Sequence, residues 1–345
     1  MKLATYKDGS RDGQLIVVSR DLRSAHYATG IASRMQQVLD DWGFMAPQLQ
    51  DLYHLLNTGR AAHAFAFDPQ LCMAPLPRSY QVLEAQAYPS HLQRLQPEVA
   101  VSTTEARMRQ AAGDHLCGAC EEVVVPSAAL DVDLGAGIAA ITGDVPVGTT
   151  AEAAMYSVRL LMLCNSLSLR QLQRSGDGRP FDGANVQAWP AMVCSPVAVT
   201  VDGVADVWHG GRLQLALHTA CNGRKIGISD THEGMAFHFG QLIAQVARTR
   251  GLRAGSVVSA GVVSAPEPSE QPKKSATAAA SGDSRSVHCI AEKRVIEVAQ
   301  QGAASTPYLQ FGDTVRIEAK SKDGQSVFGA IDHALVSPQG DGSAA

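Results

Sequence analysis

Beyond residue 120 the chain is a succession of short strand-like segments with no regular strand–helix alternation. "EEVVVP", "GIAAITGDVP", "CSPVAVTV", "RLQLALHTACNG" and "GSVVSAGVVS" read as strands. Asn222-Gly223 is a type I′ turn signal inside one of them. "DTVRIEAKSKDGQSVFGAID" reads as a further hairpin. Only two helical patterns intervene. "AEAAMYSVRLLML" is opened by a Thr149-x-x-Glu152 capping box, and "FGQLIAQVARTR" is closed by Gly251. A doubly wound parallel sheet requires strict alternation, so the pattern predicts a mixed, β-rich α+β fold.

The N-terminal region has a different texture. "LATYK" and "QLIVVS" alternate around the turn-rich "DGSRDG", and "ASRMQQVLDDW" and "PQLQDLYHLLN" carry apolar residues at helical spacing. "PLPRSY" then reads as a linker. The expected division is a small α+β N-terminal domain over 1–78 and a larger domain over 79–337. Within the latter, 266–286 is low in complexity and is expected to be a flexible insertion; 338–345 is expected to be a disordered tail.

The chain has 345 residues, a formal net charge of -4 and seven cysteines. The mildly acidic balance argues against a nucleic-acid partner. No apolar run is long enough to span a bilayer, and no apolar segment of a secretory signal follows the first lysine. The cytoplasm is the expected location, with the cysteines as free thiols.

Isolated motifs yield little chemistry. Cys117-Gly118-Ala119-Cys120, preceded by His115, has no second cysteine pair to complete a zinc site, so free loop thiols are expected. His232, Glu233 and His238 match no usual metal spacing. "SGDGRPFDG" lacks the ending of a phosphate loop, and "GSVVSAG" is not a nucleophile elbow. More telling is "LDVDLGAGIAAITGDVP", where Gly135 and Gly137 share one face of a strand. Glycine weakens a strand interior, so two on one face suggest that larger side chains have been lost.

"AITGDVP", "NSLSLR", "SPVAVT", "LRAGSVVSAGVVS" and "CIAEKR" together resemble the fumarylacetoacetate hydrolase family, as do "KLATYKDGSRDGQL" and "GRAAHAFAFDPQLCMAPLPRSYQ". The likeness is to bacterial members with a small N-terminal domain, and covers 1–78, 138–265 and 288–336. It implies a fumarylacetoacetase-type β-roll catalytic domain and a homodimer. It also implies a Mg²⁺ or Ca²⁺ ion held by carboxylates, which grips a dicarbonyl or oxo-acid while a C–C bond breaks.

Carried over residue by residue, the resemblance places the family's first metal-binding carboxylate near Glu105. Its E-x-E pair falls on Gly135 and Gly137, its next aspartate on Ser166, and its lysine on Trp189. A substrate-contacting threonine falls on Val262. Asn165, Arg170, Gln187 and the late glutamate, Glu292, are retained. A divalent ion needs several anionic oxygens. The expectation is therefore a fold that has lost its metal site and needs no cofactor. It would bind a small oxo-acid or aromatic intermediate as a pseudoenzyme or as a metal-free catalyst. Glu292 would be the acid or base, with its pKa raised by an apolar setting, and Trp189 would fill the space above the glycines. The alternative is a metal-dependent hydrolase or lyase of a small dicarbonyl acid, using Mg²⁺ or Ca²⁺ with Asp131 and Asp133 as replacement ligands. Both readings take a small molecule as the partner, and neither a nucleic acid nor a membrane.

Overall fold

The computed structural model describes residues 1–173, 186–266 and 287–338. The 266–286 stretch, apart from Pro266, lies outside the described residues. So do "SGDGRPFDG" and the tail beyond 338.

Two sheets organise the chain. The larger has eleven strands and is mixed. It begins with the N-terminal hairpin, Lys2–Tyr6 against Gln14–Val18, as the turn-rich loop predicts. Lys2–Tyr6 also pairs with Val197–Thr200, so the N-terminal strands continue the sheet of the larger region. Beyond these the order runs through Val158–Ser166, Ala136–Thr142, Val257–Val262, Val82–Ala85 and Met108–Ala111. The last inner junction, Val257–Val262 with Val82–Ala85, is parallel. The second sheet has five strands. It contains the expected C-terminal hairpin, Thr314–Lys320 with Ile331–Val336. It also contains the Asn222-Gly223 turn, where both residues adopt positive φ, 50° and 70°.

One helix expectation fails. After Ala151–Met155 the chain turns into the strand Val158–Ser166, so "VRLLML" is extended. This strand is central, with Ala136–Thr142 on one side and Val197–Thr200 and Met192–Cys194 on the other. Both of its faces are buried, so no alternation survives to mark it as β. The cap also moves by one residue: Thr150, not Thr149, accepts the hydrogen bond from Ala153 N–H. Gly251 is not the closing residue of Phe239–Ala247, whose C-cap is Arg248.

A β-bulge shapes the centre of the large sheet. Ser259 pairs with Ala139 and Val262 with Gly137, so Ala260 and Gly261 on one strand oppose Ile138 alone on the other. Gly261 absorbs the bulge at φ +84°. That conformation suits glycine and swings the Gly261 carbonyl onto Gly137.

Candidate active site

A cavity of about 130 Å³ opens beside this bulge. Its floor and walls include Glu84, His91, Arg109, Ser166, Trp189 and Val262.

One wall is built on the strand pair Val82–Ala85 and Met108–Ala111. Glu84 and Arg109 stand directly opposite each other in register, and their side chains form an ion pair. Glu84 is 8% exposed and also accepts a hydrogen bond from Ser166 Oγ. The Arg109 guanidinium lies over the Trp189 ring, 3.5 Å from its centroid. Burial lowers its pKa to about 9, which leaves it cationic at neutral pH.

The opposite wall is a buried acid–base network. Pro89 starts the short helix Pro89–Leu95, which carries His91 and Arg94. Glu292 sits in the first turn of the helix Ile290–Gln301. Asp133 fixes that helix start by accepting from Ile290 N–H at 2.7 Å and Ala291 N–H at 3.0 Å. Its carboxylate also pairs with Arg170, Oδ2 lying 2.8 Å from a terminal nitrogen. The fully buried Glu292 carboxylate meets His91 Nδ1, Ser264 Oγ at 3.0 Å and Arg94 at 3.3 Å. Burial alone would raise the pKa of Glu292. His91, Arg94 and Ser264 outweigh it and hold the carboxyl below its ordinary value. The expectation of a raised pKa is therefore corrected: Glu292 is a carboxylate. It does not line the cavity; His91 does, and its Nδ1 faces Glu292, which leaves Nε2 as the free ring nitrogen.

The structure brings Ser166, Arg170, Trp189 and Val262 to this cavity, with Glu292 behind His91. Three expected residues stand elsewhere. Glu105 is exposed and pairs with Arg248 at 2.7 Å, because its segment runs over the surface. Gln187 is exposed on a short helical turn. Asn165 is fully buried, accepts from Gly135 N–H at 2.8 Å and bonds His333, so it pins the sheet.

Nor does Trp189 fill space over the glycines. A Cβ at Gly135 would meet the Ser166 carbonyl at 2.8 Å and Val262 Cγ2 at 2.9 Å. One at Gly137 would strike the Gly261 carbonyl. Backbone and Val262 occupy that space, and the indole stacks on Arg109 instead. Asp131 and Asp133 are not replacement ligands either. Asp131 bonds Gln171, and Asp133 is spent on Arg170 and the helix start.

Sequence reasoning missed Glu84, His91, Arg94 and Arg109. One signal was present: a lone glutamate inside the apolar strand "VLEA", followed by Pro89 as a helix start. Elsewhere His115, Cys117 and Glu121 lie close together, but Glu121 already accepts from Gly118 N–H. The described cysteines are all free. Among the described residues, no helix is long and apolar enough to cross a membrane.

A family profile described as fumarylacetoacetase N-terminal domain 2 matches residues 1–78, and one described as fumarylacetoacetate hydrolase C-terminal matches 82–335. No curated protein matches the chain by sequence. Solved structures with the same fold include maleylpyruvate hydrolase from Sphingobium sp. SYK-6, in complex with manganese(II) ion and pyruvate. It is 16% identical with a TM-score of 0.60, and covers 98% of this chain and 99% of its own. Fumarylacetoacetate hydrolase from Exiguobacterium antarcticum is 16% identical, with a TM-score of 0.63 and the same coverage. The 5-carboxymethyl-2-hydroxymuconate delta-isomerase from Mycobacterium smegmatis is 15% identical, with a TM-score of 0.57, again covering 98% and 99%.

Proposed function

Because the chain belongs to the fumarylacetoacetate hydrolase family, we propose that it uses that fold for metal-free acid–base chemistry on a small oxo-acid. The observation that carries this reading is the His91–Glu292 pair at the cavity wall.

The cavity does not fit a divalent cation. Glu84 is the only carboxylate lining it among the described residues, and its oxygens are engaged by Arg109 and Ser166. Gly135 and Gly137 offer no donor, and their side-chain space is closed. A hard ion takes six or more oxygens, several of them anionic. No step is therefore routed through a metal.

His91 is the proton carrier in this reading. With Nδ1–H donated to Glu292, Nε2 is free to take a proton from the carbon beside a carbonyl. The Glu292 carboxylate orients the ring and stabilises the imidazolium that forms, so Glu292 is a positioning residue. Delivery of that proton to the carbonyl oxygen tautomerises the oxo-acid, whereas exchange of the imidazolium proton with water before return to carbon puts a solvent proton on that carbon. Two fold relatives are named for chemistry on such acids, a hydrolase of maleylpyruvate and an isomerase of a hydroxymuconate. The same reading takes the protein as homodimeric and cytoplasmic.

The test is solvent-deuterium exchange of the C3 protons of pyruvate and oxaloacetate, followed by NMR with a chelator present. The protein is expected to accelerate exchange, and His91→Asn to slow it by about a hundredfold. Exchange that requires added Mg²⁺ or Mn²⁺, or that is unchanged in His91→Asn, contradicts the reading.

A further inference from the structure

The cavity is short of acceptors. The Trp189 indole Nε1–H and the Gln173 amide nitrogen are both buried without a hydrogen-bond partner, and both residues line the cavity. Arg109, half-buried at the same lining, points one terminal nitrogen at Glu84. Buried polar groups are almost always satisfied, so two lone donors in one cavity are unusual. All of these groups are donors, and indole and guanidinium can only donate. What completes them must be rich in acceptor oxygens.

Arg109 is also held rigidly. Glu84 fixes it from across the strand pair, and the Trp189 ring supports its face. A guanidinium fixed in this way presents a planar fork that matches a carboxylate. Glu84 neutralises part of its charge but also sets its orientation.

We propose that Arg109 does in this cavity the work of a bound cation: it receives the carboxylate of a small oxo-acid, with Trp189 and Gln173 donating to the ligand's other oxygens. The inference rests on the oxo-acid reading above and adds the anchor for that ligand. Arg109 contacts the ligand's anionic end, while His91 works on its carbon. The ligand class that follows is a small planar carboxylate with a neighbouring carbonyl. An ester of the same acid, which lacks the charge, would be rejected.

Binding is measured by calorimetry in chelator, with pyruvate, oxaloacetate and methyl pyruvate as probes. The unaltered protein is expected to bind at least one of the two acids and to bind methyl pyruvate at least tenfold more weakly, since a charge-assisted bond is worth about 1.5–3 kcal/mol. Arg109→Gln is expected to lose about tenfold to a hundredfold in affinity for the acid. A melting curve checks that this variant is folded. If it is not, Arg109→Lys carries the test, because it keeps the charge and loses the fork; severalfold weakening is expected. Affinity unchanged in the folded variant overturns the role of Arg109 while leaving the His91 chemistry standing. Equal binding of methyl pyruvate and the acid does the same. No binding of either acid to the unaltered protein overturns the oxo-acid reading together with this inference.

Discussion

The two walls of the cavity have been treated differently. On the wall of helices Pro89–Leu95 and Ile290–Gln301, a fully buried carboxylate is completely satisfied by histidine, arginine and serine. On the strand wall the carboxylate of Glu84 pairs with Arg109, and beside it Val262 and the Gly261 carbonyl pack against the bare backbone of Gly135 and Gly137. The lesson is that the two walls hold their buried carboxylates with different partners. At its glycines the sheet leaves no side-chain space, and the cation of the strand wall is a side chain paired with the acid. Here that side chain is Arg109, which lies opposite Glu84 in register.

The largest effect should come from breaking the satisfied wall. Glu292→Gln leaves Arg94 beside a neutral group, and removing one partner of a buried ion pair costs about 3 kcal/mol or more. Urea unfolding would measure it; a loss well under 1 kcal/mol would mean that the network is not a structural unit.

In the sheet beside the cavity, Gly137→Ala should cost about 2 kcal/mol, because its Cβ meets the Gly261 carbonyl of a bulge that cannot easily move. A neutral outcome in the same assay would show that the bulge can make room for a side chain at this position.

Acid titration adds a test of burial, because two histidines outside the cavity lining are buried. His288 bonds Thr219 and Ser229, and burial lowers its pKa to about 3. His333 bonds Asn165, and burial lowers its pKa to about 4. Both native pKa values lie below the ordinary 6.5, so the unfolded chain binds more protons as pH falls through 6.5. Stability is full above that value and should decline by about 1.4 kcal/mol per pH unit for each histidine below it. Unfolding curves from pH 7.5 to 5 test this; a flat profile would contradict the burial of both rings.

The smallest effect is expected off both walls. Glu105→Gln breaks an exposed pair with Arg248 and should change neither proton exchange nor melting temperature measurably. A clear loss of exchange would return Glu105 to the site.

Much of this was legible in the chain, and the reasons for the rest are physical. Hairpin turns announce themselves because Asn222-Gly223 and the loop after Tyr6 need special backbone conformations. The two glycines at 135 and 137 stood out because a strand interior rarely contains them. The strand Val158–Ser166 was misread because, when both faces are buried, an apolar run carries no period. Glu84, His91 and Arg109 were missed for a different reason. Their elements, Val82–Ala85, Pro89–Leu95 and Met108–Ala111, are short, and their partners lie far away in sequence. The distance from His91 to Glu292 is 201 residues along the chain, and only the folded sheet brings them together. Glu105 was chosen from the same weakly patterned region, where no local signal separated a surface acid from the buried one at Glu84.

The central claim is that a fixed guanidinium, and not a metal ion, supplies the positive charge in this cavity. Titration of the purified protein with Mn²⁺, followed by calorimetry and by the electron paramagnetic resonance signal of free Mn²⁺, tests it most directly. The account predicts no saturable one-to-one binding at micromolar concentrations. Stoichiometric micromolar binding that disappears in Glu84→Gln would contradict it.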